Sequence, residues 1–214
     1  MIAVTFALPR ESRDFRRLRS GRDREIAILH TGVGAELCQR RIGPFLDAQR
    51  FDFLISSGFA GGVDPSLGVG DLLLAENFSD LKLLAQARAA IISRVGKLCT
   101  LERVIESATE RARLAREHDA VAVDMETKWI AQACLARSIP LLSLRVISDT
   151  GGAPFPVPAA VLFNLTAQKT EGLVLARHLV RHPTRVVRLA CFARQIAAAR
   201  ASLTNALAVL TREL

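Results

Sequence analysis

The chain has 214 residues, with 29 Lys or Arg against 21 Asp or Glu for a net charge of +8, and half of it is apolar. So much apolar surface offsets the entropy of ordering and excludes a disordered chain. The 13 Gly and 8 Pro are scattered, which excludes collagen-like and low-complexity classes. No apolar run reaches membrane-spanning length, and Met1–Pro9 has no basic region before it, so a secretory signal is not expected and the cytoplasm is. Cys38, Cys99, Cys134 and Cys191 form no CxxC pair. They read as small core thiols in a reducing compartment, with neither a metal site nor a disulfide framework.

Taken in chain order, Ile2–Leu8 reads as a buried strand and Pro9 as the first turn of an amphipathic helix. Glu25–His30 is a second strand, closed by Thr31-Gly32-Val33-Gly34, and Ala35–Ala48 a helix. Phe53–Ser57 is a third strand that runs into the glycine-rich Gly58–Pro65, and Asp71–Glu76 a fourth. Leu81–Arg94 and Ser107–Glu117 have helical patterns, with a short strand around Leu101–Ile105 between them. Ala120–Val123 is a strand entering the helix Met125–Arg137. Pro140–Ile147 is the most apolar strand and ends in Ser148-Asp149-Thr150-Gly151-Gly152 and a Pro-rich loop through Pro158. Ala159–Leu214 reads as helices broken near His182-Pro183. This alternation predicts an α/β fold, a three-layer α/β/α sandwich on a mixed central sheet. One domain is expected over residues 1–214, with a helical C-terminal extension from about residue 159.

Charge gathers in two places. Arg10–Arg24 holds seven Arg and three acids, and Arg177–Leu214 seven Arg and one acid. The first reads as a solvated helix face. With no Tyr and one Trp, nothing favours base stacking, and nucleic acid is not an expected partner.

Ligands of open α/β sheets bind beyond the carboxyl ends of strands. Glu11, Thr31–Gly34, Gly58–Gly62 and Ser148-Asp149 all fall at such ends, and Glu126 opens the helix after Ala120–Val123. Each has a plainer reading. Glu11 and Glu126 suit the first turn of a helix, and Asp149 suits a turn.

In order, these pieces form a Glu near the start, T-G-V-G, G-F-A-G-G with V-G-D after it, V-D-M-E, and R-V-I-S-D. That series resembles the purine nucleoside phosphorylase/nucleosidase superfamily. Ala7–Glu11, Ser56–Pro65, Ala122–Glu126 and the Arg- and Ala-rich tail look like its hopanoid-associated phosphorylase branch. The resemblance implies cleavage of the N-glycosidic bond of a purine nucleoside. Asp149 matches the general acid that shares a proton with the base, a role that needs its pKa raised by burial. Glu126 matches the carboxylate that holds the ribose hydroxyls and is expected to stay ionised at its helix N-terminus. Met125 packs on the sugar, and Glu11 matches the acid that prepares the attacking water. Ser148, Thr31, Gly32, Phe59, Ala60 and Gly61 complete the expected substrate-binding set.

Two departures from the family are informative. Ser56 and Phe59 stand where bacterial hexameric phosphorylases place phosphate ligands, which favours water as the nucleophile. Phosphate stays the alternative co-substrate if Arg10 or Arg13 forms another anion site, and no other cofactor is expected. The motif whose Phe stacks on the purine in methylthioadenosine nucleosidases is missing, so the stacking residue stays open. The resemblance further implies a homo-oligomer, with a dimer favoured, and an adenosyl substrate on a polycyclic lipid. Peripheral membrane contact would then run through Arg177, Arg181, Arg185, Arg188, Arg194 and Arg200, with Phe155 as an apolar lip over the site. A catalytically inactive nucleoside-binding protein is the rival outside enzymes.

Overall fold

The computed structural model describes residues 1–18 and 25–214. Arg19, Arg22 and Arg24 of the first basic segment lie outside them. The elements run β1 (Ile2–Phe6), α1 (Pro9–Leu18), β2 (Ile26–His30), α2 (Ala35–Asp47), β3 (Phe53–Gly62), β4 (Leu72–Ala75), α3 (Leu81–Ala90), β5 (Arg94–Gly96) and β6 (Leu98–Thr100). They continue as α4 (Ala108–His118), β7 (Ala122–Asp124), α5 (Thr127–Leu135), β8 (Leu141–Asp149), α6 (Ala159–Leu162), α7 (Gly172–Arg181) and α8 (Arg185–Glu213).

Strands that bury both faces need continuous apolar runs, and β1 and β8 are buried along their whole lengths. The sheet order is β2-β1-β3-β8-β4-β5. β3 lies parallel to both β1 and β8, while β4 runs antiparallel to β8, which makes the sheet mixed. β7 pairs antiparallel with the end of β3 and carries β6 beside it. One face of the sheet is covered by α1, α3 and α8, through Phe6, Phe15, Leu83 and Leu207. The other is covered by α2 and α5, through Cys38, Ile42, Ile130 and Leu141. The architecture is the three-layer sandwich.

Local chemistry sets the helix starts. Asp80 caps α3 by accepting from the Lys82 and Leu83 amides, and Ser107 caps α4 by accepting from Glu110. α1 places Glu11 in its first turn and Arg16 and Arg17 in its last, as the helix dipole favours.

Four expectations are corrected. The glycine run Gly58–Gly62 is strand, not loop, since β3 continues along β8 with an irregularity between Ala60 and Gly61. Ser148 and Asp149 likewise end β8 rather than begin a loop. No strand forms at Leu101–Ile105. The short strands lie earlier, where Leu98 pairs with Ala122 and is buried, and Gly96 packs so close that a Cβ would stand 2.7 Å from Val121. Cys38 and Cys134 are core thiols and Cys99 packs half-buried against Val63, Ile105, Leu114 and Val123, whereas Cys191 is exposed on α8. Among the described residues no helix is long and apolar enough to cross a membrane.

Candidate active site

The carboxyl ends of β1, β3 and β8, with β7 beside them, border a cleft of about 170 Å³. Glu11, Glu126 and Asp149 all line it. So do Met125, Ser148, Thr31, Phe59, Ala60 and Gly61. Gly32 is set back from the wall. It turns the chain at φ +80° against Leu37.

Glu11 leaves the first turn of α1 but folds back over the end of β1, where its Oε2 accepts from the Ala7 amide at 3.1 Å. It is buried, and burial pushes its carboxyl up to about 7. A Cβ at Gly58 would sit 3.6 Å from the same oxygen, so the bare strand leaves room for this side chain.

Glu126 occupies the N-cap of α5, yet its carboxylate caps nothing there. Its Oε1 accepts instead from the Gly34 amide at 2.8 Å, across the Thr31–Gly34 turn. Gly34 holds φ +94°, a conformation that a side chain would strain. The expectation that a helix terminus keeps Glu126 ionised is overturned. Burial, with the Asp124 charge next to it, pushes this carboxyl up to about 8.

Asp149 differs. Ser148 Oγ donates to its Oδ1 at 2.6 Å, and Arg111 on α4 forms a buried ion pair with its Oδ2. Arg111 also donates to the Gly62 carbonyl at 2.9 Å and the Ile105 carbonyl at 2.8 Å, while its Nε is buried without a partner. A Cβ at Gly61 would stand 3.0 Å from Arg111 Nη1 and 3.2 Å from Asp149 Oδ2. Glycine is what lets the pair approach the strand.

Beneath the cleft a second buried ion pair joins Arg145 and Asp124 at 3.0 Å, tied to Ser56 and Thr127. It fixes β8 to the start of α5, and with them Asp149 and Glu126. Ser56 is thereby committed to Arg145 at 2.9 Å. Arg10 lies over the Phe163 ring at 5.4 Å and Arg13 bonds Asp14, so neither lines the cleft as an anion site. Of the cleft's own cations, Arg111 and Arg145 are taken by carboxylates and Arg103 is bound to Glu110.

Sequence reasoning did not single out Arg111, the wall formed by Arg103, Val104 and Ile105, or Gln168. The amide of Gln168 bonds both the N–H and the carbonyl of Val33 and closes the Thr31–Gly34 turn from 135 residues away. Thr5 and Ser57 were also missed. Both line the cleft with buried hydroxyls that have no partner. Phe155 does reach the mouth, as its place between prolines suggested.

A phosphorylase superfamily model matches residues 76–181. Over that stretch the chain is similar to the phosphorylase superfamily. A 5′-methylthioadenosine/S-adenosylhomocysteine nucleosidase from Haemophilus influenzae is 26% identical over 71% of this chain and 80% of its own length. Among solved structures, the futalosine hydrolase of Helicobacter pylori superposes with a TM-score of 0.73 at 17% identity, covering all of this chain and 97% of that one. The Neisseria meningitidis 5′-methylthioadenosine/S-adenosylhomocysteine nucleosidase, solved with methylthio-immucillin-A, gives 0.73 at 17% identity over 100% and 99%. These two likenesses show the same sandwich fold across the full length of the chain.

Proposed function

We propose that this chain hydrolyses the N-glycosidic bond of a purine nucleoside, with adenosyl compounds as its substrates. The observation that carries the reading is the meeting of three buried carboxylates, Glu11, Glu126 and Asp149, from three separate strand ends in one cleft. Breaking the bond leaves its electron pair on the purine and a cationic ribosyl ring. Asp149, an ion-paired carboxylate in the free chain, takes up a proton from solvent as substrate binds and passes it to the leaving base, and the carboxylate that remains is met again by the Arg111 guanidinium and the Ser148 hydroxyl. Water adds to the ribosyl carbon and loses its proton to Glu11. Thr5 and Ser57 supply unpartnered hydroxyls to the same cleft, free to hold the water. Glu126 accepts from the ribose hydroxyls, Met125 packs on the sugar, and Phe59 and Phe155 offer apolar surface to the substrate.

Water is favoured over phosphate because every cation on the cleft wall already has a carboxylate partner. The test is incubation with adenosine and 5′-methylthioadenosine, with and without inorganic phosphate, followed by chromatography for free purine. Hydrolysis predicts release that phosphate does not accelerate. Release that requires phosphate makes the chain a phosphorylase, and no release from any adenosyl compound makes it a binding protein.

A further inference from the structure

We propose that the outer face of α7 and the beginning of α8 form a docking surface for a bilayer that carries anionic lipid. α7 contributes no buried residue. Leu173, Ala176, Arg177 and Val180 stand at i, i+3, i+4 and i+7 and therefore share one stripe of the helix. That stripe faces outward, with Leu173 88% and Val180 82% exposed. Beyond His182-Pro183, Val187 is 70% exposed on the first turn of α8. A run of aliphatic side chains held in water marks a surface with a partner.

Charge chooses the partner. From Gly172 to Arg212 the chain has seven Arg and no acidic residue. Arg200 is spent on Asp14 at 2.7 Å, and so is not part of the surface that the sequence suggested, and Arg185 leans on His178 at 3.1 Å. Arg177, Arg181, Arg188 and Arg194 are exposed, with no ion-pair partner among the described residues. Aliphatic and guanidinium groups on one helix suit the headgroup zone of an anionic bilayer, where the first reach the acyl boundary and the second meet phosphates. A second copy of the chain suits it poorly, because a twofold contact would set this positive face against itself.

The surface is continuous with the cleft. Phe155 lines the cleft and also a second, outer cavity shared with Arg185 and Arg188, and its ring packs edge-on against Phe192 of α8 with centroids 5.7 Å apart. The proposal goes beyond the nucleosidase reading and does not depend on it.

The test is co-sedimentation of the full chain with phosphatidylglycerol/phosphatidylcholine vesicles and with phosphatidylcholine alone, at about 50 and about 500 mM salt. The expected result is pelleting with the anionic vesicles only, with partitioning falling at least about tenfold at high salt. The double variant Leu173→Asp/Val180→Asp changes only exposed positions; it is expected to keep the wild-type melting curve and to lose at least about tenfold in partitioning. Wild type that stays in the supernatant at low salt, or a double variant that binds as wild type does, overturns the proposal. So does sedimentation equilibrium in which the double variant turns a wild-type dimer into a monomer, since the face then belongs to a second copy.

Discussion

The two ends of the cleft treat the same chemical group in opposite ways. At one end Glu11 and Glu126 are buried with only backbone amides on their oxygens, and desolvation pushes both carboxyls up to neutrality or above. At the other, Asp149 is as deeply buried but has a guanidinium on one oxygen and a hydroxyl on the other. The difference teaches that burial alone does not assign a role to a carboxylate. An under-partnered acid is left ready to accept a hydrogen bond or a proton from a ligand, whereas a fully partnered one is held in place for a transfer whose product its partners stabilise.

The largest expected effect is at the partnered end. Asp149→Asn keeps shape but delivers no proton, and its kcat is expected to fall about 10²–10⁴-fold with KM nearly unchanged. Wild-type turnover in that variant removes the assigned acid. Arg111→Met leaves Asp149 buried without its cation and is expected to cost about 3–5 kcal/mol in urea unfolding. A loss under about 1 kcal/mol, the range of a surface pair, contradicts a structural pair at this end.

The under-partnered end predicts the opposite sign. The folded carboxyl of Glu11 holds its proton up to about 7, against an ordinary 4.5, so the unfolded chain releases that proton first as pH rises. Its contribution to stability is complete below pH 4.5 and is lost as pH climbs through about 7. Glu11→Gln never ionises. Its melting temperature is expected to match wild type near about pH 4 and to exceed it near about pH 8. Equal melting temperatures at both values refute the desolvated state of Glu11. Smallest of all, Arg10→Ala is expected to leave kcat/KM within about twofold, as for a surface change away from the cleft. A larger loss restores an anion site at that helix.

Most of the fold was legible because its signals are local. β1, β2, β4 and β8 are apolar runs, and the helices after Pro9, Gly34 and Glu126 begin at punctuation that the chain displays. The three carboxylates were legible for the same reason, since each sits where a strand ends or a helix starts. What escaped was set by distance. Arg111 reads as one more charge on an amphipathic helix, and nothing near it in sequence foretells a pair with Asp149, 38 residues on. Gln168 is an ordinary polar residue until the fold brings it to Val33. In sequence the glycine run reads as a loop because glycine weakens strands in general. Here its bare backbone makes room for Glu11 at Gly58 and for the Arg111–Asp149 pair at Gly61. At Glu126 the helix terminus is legible in sequence and burial is not, and burial is the stronger influence.

The pH dependence of purine release from an adenosyl nucleoside in phosphate-free buffer tests the contrast between the two ends most directly. Glu11 must be ionised to take the proton of the attacking water, so kcat/KM is predicted to rise with pH through about 7. Release that is flat across neutrality, or that appears only when phosphate is added, contradicts the account.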